Sequence, residues 1–237
     1  MSDHWFAVDK LERAAHALDR ENAGGDFGSY AKANRTDSLD GPVLATHNLI
    51  HAAHRARLYR HILPRRDFAS IADIGCGLGL TAAALAHEFA PAHVTGYDIS
   101  PDAIEFARRR FPAARFVCQG IDSTSDLGGT FDLILCQEFY PFTRTRDWAA
   151  QQPLIESFLK KLNQDGWLVI ELSERDPDRT ILANLSKLAG FRPLLRRLPY
   201  DRVHRGLGWI RLSILVSALL ARLTGRDRNI AILLNRK

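Results

Sequence analysis

The chain has 237 residues, 46% of them hydrophobic, with a formal net charge of +5, which is enough apolar material for a core that needs no disulfide or metal. Its three cysteines, Cys76, Cys118 and Cys136, fit neither a disulfide framework nor a zinc-binding spacing and read as small core residues of a reducing compartment. No apolar run reaches the roughly twenty residues of a membrane span, and Asp3 and Asp9 precede any apolar block, so no secretory leader is expected and the expected location is cytoplasmic.

Asp3 caps a first helix in which Trp5, Val8, Leu11, Ala15 and Leu18 recur at helical spacing, and Asn22 to Gly25 stops it. Residues 26–42 are polar apart from Phe27 and Tyr30, a composition that suits a flap over a pocket as well as a linker. A second helix runs from Val43 to about Leu63 and ends before Pro64. Residues 1–63 are therefore expected to form a helical extension and flap, and 64–237 an α/β domain. His47, His51, His54 and His61 share one face of the second helix. Their plain reading is a half-exposed or hydrogen-bonded row. A metal site would need further ligands, and none is expected. His51 is a candidate general base, because histidine titrates near neutral pH.

An apolar strand at Ile71–Ile74 then breaks into Gly75-Cys-Gly77-Leu-Gly79, followed by the helical run Thr81-Ala-Ala-Ala-Leu-Ala. A strand, a glycine turn and a helix make a cradle that lets backbone approach a nucleoside cofactor. A dinucleotide fingerprint wants a third glycine where Leu80 stands, which weakens the nicotinamide reading. Asp73 would repel a pyrophosphate but would hold an ammonium group, and S-adenosyl-L-methionine carries one. A second short strand, His93 to Asp98, ends in an acid about twenty residues after the turn, the reach of a ribose contact. The two oxygens of Asp98 match a vicinal diol, and Ile99 can lie on the adenine face.

The stretch from Ile71 to Ser173 resembles the class I S-adenosylmethionine-dependent methyltransferases. Asp73–Gly79 looks like the first motif of that family, Val94–Asp98 the second and Phe116–Asp122 the third. Phe131–Cys136 is similar to its fourth strand, and Gly166–Leu172, after the turn-forming Asn163-Gln-Asp, to its fifth. The resemblance implies an α/β, Rossmann-like, doubly wound seven-stranded sheet, mostly parallel with an antiparallel last strand, with N-terminal helices added. It implies a cofactor site built from Asp73, Gly75, Gly77, Gly79, Asp98, Ile99 and Gln137, with Asp122 meeting the adenine amino group. Methyl transfer from a sulfonium needs an aligned nucleophile and, for a hydroxyl, a base. Glu138 and Tyr140, just after the fourth strand, stand where this fold commonly places acceptor-facing groups, and Glu138 is the favoured base. Neither an Asn/Asp-Pro-Pro-Tyr stretch nor a Pro-Cys pair is present, so adenine, glutamine and cytosine-C5 acceptors fall in rank.

Further helices are expected at Asp147–Leu162 and Asp178–Leu188, and the last strands at Phe191–Leu198 and Asn229–Asn235. The final 46 residues, from Arg192, hold eleven Arg or Lys and two acids. Within them, about 203–227 reads as an apolar, basic insertion. It is either a cover over the acceptor pocket, a dimer interface, or an interfacial helix whose Trp209, Arg211 and Arg222 reach lipid headgroups at the inner membrane surface. Nucleic acid is disfavoured because the arginines are not interleaved with stacking aromatics. The expected activity is methyl transfer to oxygen of a small-molecule or carbohydrate-type acceptor. The alternatives are an RNA or protein methyltransferase and a non-catalytic, membrane-peripheral cofactor-binding subunit.

Overall fold

Alternating short apolar strands and helices build a parallel sheet when each crossover is a helix. The computed structural model describes residues 42–143, 147–172, 180–188, 193–199, 203, 207, 209–225 and 229–235. The expected first helix and all of the expected flap at 26–42 except Pro42, which opens a helix, lie outside the described residues, as does the side chain of His47.

Among the described residues there are seven strands: β1 Ser70–Ile74, β2 His93–Asp98, β3 Arg115–Cys118, β4 Phe131–Gln137, β5 Leu162–Leu172, β6 Leu194–Arg197 and β7 Ile230–Asn235. They form one sheet in the order β3-β2-β1-β4-β5-β7-β6. The first five are parallel, and β7 runs antiparallel to both β5 and β6. This is the Rossmann-like, mostly parallel sheet expected. Strand order reverses between β1 and β4, so the crevice at their carboxyl ends is where such a sheet receives a ligand.

The helices are α1 Pro42–Ile62, α2 Leu80–Glu88, α3 Pro101–Arg110, α4 Tyr140–Thr143, α5 Trp148–Lys160, α6 Thr180–Leu185 and α7 Ile210–Thr224. Local signals set their ends. Ser100 caps α3 by accepting from the Ala103 N–H at 3.3 Å, Pro101 opens the helix, and Arg108–Arg110 close it. Asp147 caps α5, accepting from the Ala149 N–H at 2.9 Å.

Strand side chains alternate between two cores. On one face Ile71, Leu133, Leu135, Val169 and Leu233 pack against Ala52, Ala56 and Tyr59 of α1 and Ala82 and Leu85 of α2. On the other, Ile74, Ile134, Cys136, Leu168 and Ile170 meet Leu154, Ile155 and Phe158 of α5 and Ile181 of α6. Thus α1 shares the core of the sheet.

Two elements differ from expectation. Asn163-Gln-Asp does not precede β5 as a turn. It lies inside the strand as a bulge, where pairing with β4 shifts from Phe131–Leu162 to Leu133–Trp167 and Asp165 takes a φ of 60°. The same residue types serve either purpose. The expected helix at 178–188 is helical over Thr180–Leu185, and Asp178 lies outside the described residues.

Candidate active site

The glycine turn joins β1 to α2 and lies against β2. The Gly75 N–H donates to Tyr97 O at 2.8 Å and the Gly79 N–H to Cys76 O at 2.9 Å. Gly77 has a φ of 51°, and a Cβ built there meets nothing within 4 Å among the described residues, which leave the turn open on that side. Gly79 has a φ of 77°, and a Cβ there would come within 2.7 Å of Ala107 and 2.6 Å of the Phe116 ring. One glycine therefore keeps a ligand face clear, while the other lets α2 begin tight against α3 and β3.

Asp98, at the end of β2, is buried. Its Oδ2 accepts from the Gly77 N–H at 2.8 Å and its Oδ1 from the Ser100 N–H at 2.9 Å, so one carboxylate ties the turn to the start of α3. Burial raises its pKa, against the lowering effect of the Ser100, Gly77 and Ile99 amides. Asp73, on β1, is also buried, and its Oδ2 has no hydrogen-bond partner among the described residues. Burial, reinforced by the charge of Asp98, pushes its pKa up to about 7. A buried carboxylate oxygen without a donor fits a cation better than it fits a phosphate.

Ile99 is 39% exposed, and Gly120 leaves room beside it, since a Cβ there would stand 3.2 Å from Ile99 Cδ1. The structure thus brings Asp73, the glycine turn, Asp98 and Ile99 together at one crevice. Gln137 ends β4 on the same edge, its Oε1 accepting from the Thr81 hydroxyl of α2 at 3.0 Å. Glu138 follows in the left-handed region, φ 51°, its N–H donating to Glu171 O at 3.1 Å; a non-glycine residue held there marks a strained, over-determined position. Tyr140 opens α4, and half-buried His51 lies on α1. Asp122 stands apart. It is exposed, and its Oδ1 accepts from the Thr124 N–H at 2.8 Å, the Thr124 hydroxyl at 2.8 Å and the Ser125 hydroxyl at 3.0 Å, bonds that lower its pKa, the Thr124 hydroxyl most. In this arrangement that oxygen serves its own loop.

Residues 71–166, from β1 into β5, match the family model described as "Methyltransferase domain". This segment is a class I S-adenosylmethionine-dependent methyltransferase domain. The chain is similar to trans-aconitate 2-methyltransferase of Afipia carboxidovorans, 27% identical over 135 residues, 56% of this chain and 50% of that protein. It is also similar to ribosomal RNA small subunit methyltransferase C of Cronobacter sakazakii, 32% identical over 102 residues, 42% of this chain and 30% of that one. The chain spans half or less of the length of these curated relatives. In fold it is similar to the plantazolicin methyltransferase BpumL, solved with SAH, with a TM-score of 0.58 at 17% identity, covering 97% of this chain and 98% of that one.

Sequence reasoning missed several residues that shape this methyltransferase domain. The Phe139 ring occupies the space over Gly75, where a Cβ would meet it at 2.9 Å, and Thr81 joins α2 to β4. Beneath the crevice, Glu171 is fully buried in β5. It accepts from Arg55 Nη1 and the Tyr59 hydroxyl of α1 and from Asn229 Nδ2 at 3.2 Å. Burial, then the Glu171 charge, hold the Tyr59 hydroxyl well above its ordinary range. An acid inside Leu-Val-Ile-Glu-Leu was the only signal of this cluster in the sequence.

Asp73 gives the methyltransferase domain a pH signature. Its pKa is near 3.8 unfolded and about 7 folded, so the folded state binds the proton more tightly. That contribution favours the ligand-free fold fully below about pH 4 and is lost as pH rises through 7. Asp73→Asn should therefore melt higher than the parent at pH 8, by clearly less at pH 5, and close to it only below about pH 4. A constant difference in melting temperature across that range would remove Asp73 as the titrating group.

Proposed function

We propose that the chain binds S-adenosyl-L-methionine along Asp73, the 75–79 turn and Asp98, and passes its methyl group to oxygen of a small-molecule or carbohydrate-type acceptor. The observation that carries the reading is the buried, donorless Asp73 Oδ2 beside a turn whose Gly77 face is open. The donor set fits this cofactor. Asp73 holds the ammonium, Asp98 takes the ribose hydroxyls while keeping its grip on Gly77, Ile99 lines the adenine, and Gln137 closes the β4 side. Asp122 would join only after releasing its own loop. When bound, the sulfonium supplies an activated methyl group.

The rest falls to this chain's own side chains. Glu138 Oε1 is shielded from solvent at the carboxyl end of β4, next to the strand that carries Asp73. There it takes the hydroxyl proton, with Tyr140 and His51 orienting the acceptor. Small molecules are favoured by the likeness to trans-aconitate 2-methyltransferase. RNA is the second reading, favoured by the likeness to a ribosomal RNA methyltransferase.

The test is calorimetric titration with S-adenosylmethionine, S-adenosylhomocysteine and NAD, then labelled-methyl incorporation in a lysate. Binding of the two sulfur compounds but not NAD, with label in the small-molecule fraction, is expected. Label in RNA would transfer the reading to the second acceptor, and preference for NAD would end both. Because Asp73 must be ionised to hold the ammonium, affinity for S-adenosylmethionine should rise about tenfold from pH 6 to pH 8. Glu138→Gln should lower turnover by roughly 10²-fold or more, the range of general-base catalysis, with cofactor affinity unchanged. Turnover like the parent's would remove it as the base.

A further inference from the structure

A helix on a folded domain normally buries its leucines and exposes its serines, and α7 does the opposite. Ser213 and Ser217 are fully buried, whereas Leu215, Leu219 and Leu223 are 68%, 58% and 74% exposed and Trp209, which caps the helix, 75%. Ser213 donates its hydroxyl to Trp209 O at 2.7 Å, so the buried serine is satisfied. With Leu212, the exposed side chains fall at spacings of three and four and make one continuous apolar stripe. Arg211 and Arg222, eleven residues or about three turns apart, stand together along one edge of it, both exposed. No acid occurs between Asp201 and Asp227.

Three occupants could cover such a stripe, and charge decides among them. A partner with an ordinary apolar face would bury the leucines but give the arginines no counter-charge. A two-fold, antiparallel pairing with a second copy would set Arg211 against Arg222 of that copy. A lipid surface with anionic headgroups takes the leucines into its acyl boundary while the arginines extend to phosphate. Among the described residues no helix is long and apolar enough to cross a membrane, so α7 would lie in the plane of the surface.

We propose that the Trp209–Leu223 stripe of α7 seats the protein on an anionic membrane surface. The placement has a further consequence. β6 ends at Arg197 opposite Ile230, and β7 starts opposite Leu172, so the connection carrying α7 leaves the sheet at the same edge as Asp73 and Asp98. Docking brings the crevice to the interface and selects acceptors dissolved in, or attached to, lipid.

The test is flotation of the full chain with vesicles of phosphatidylcholine alone or mixed with phosphatidylglycerol. The intact chain should float with the mixed vesicles. Leu215→Ser/Leu219→Ser should bind at least about tenfold less to them, and Arg211→Gln/Arg222→Gln should lose its preference for the anionic lipid. Trp209 emission should shift to the blue on vesicle addition, a shift absent in Trp209→Phe. Binding of S-adenosylhomocysteine by these variants should match the parent, which separates failure of this surface from failure of the cofactor site. An intact chain that does not float, or a leucine variant that floats equally, overturns the proposal. Sedimentation as a pair that the leucine variant dissolves, without flotation, overturns it in favour of a second copy.

Discussion

Asp98→Ala should weaken S-adenosylhomocysteine binding by roughly 10²- to 10³-fold, the equivalent of about 3–4 kcal/mol. The size follows from two losses at one carboxylate. In the proposed binding mode the ribose hydroxyls lose a charged acceptor, a hydrogen bond worth about 1.5–3 kcal/mol. The Gly77 and Ser100 N–H groups lose their partners at 2.8 and 2.9 Å, so the turn that must lie under the ligand is no longer held. Asp98→Asn keeps one acceptor oxygen and should fall between parent and alanine variant. Calorimetry on all three, with far-UV circular dichroism to confirm the fold, decides the matter. Equal affinity for parent and Asp98→Ala would remove the ribose assignment and the mechanism that rests on it.

The largest loss of stability is expected at Arg55. Glu171 is fully buried and Arg55 nearly so, and the Arg55 guanidinium is ion-paired with that carboxylate. Arg55→Met should destabilise the protein by about 3–5 kcal/mol, because it strands a charge in the core between α1 and the sheet. For a chain of this length that is a fall of roughly 10 °C in Tm. Arg55→Met/Glu171→Leu should be less destabilised than Arg55→Met alone, since no carboxylate then remains to be solvated. Urea unfolding of the parent, Arg55→Met, Glu171→Leu and the double variant measures it. If the double variant loses the sum of the two single losses, the pair is not coupled and α1 is held by its apolar contacts alone.

The glycine turn was legible because a strand, a sharp turn and a helix start constrain the backbone. A chain that must turn and start a helix within five residues favours glycine, and Gly75, Gly77 and Gly79 all take a positive φ. The helix expected from Asp147 was legible for a similarly local reason, although its cap was not read from the sequence. The Arg55–Glu171 pair was not, since its members are 116 residues apart and only packing joins them. Nor was the outward turn of α7, because periodicity locates an apolar stripe without saying which side faces the sheet. The bulge at 163–165 eluded reading because a turn and a bulge draw on the same residues. Asp122 was placed by its offset from the third strand, which carries no information about the Thr124 and Ser125 hydroxyls that engage it.

The strand order carries a consequence for how the molecule is made. β7 lies between β5 and β6 in the sheet although it is synthesised after both. A nascent chain leaving the ribosome can assemble β1 to β5 and their helices, but β6 has nowhere to dock until Ile230–Asn235 emerge and fill the gap. Until then the β5 edge, with Leu168, Val169 and Ile170 along it, stays open to any neighbouring strand. Vectorial synthesis thus opens an interval in which one edge of the sheet is unpaired, and β7 is the strand that closes it.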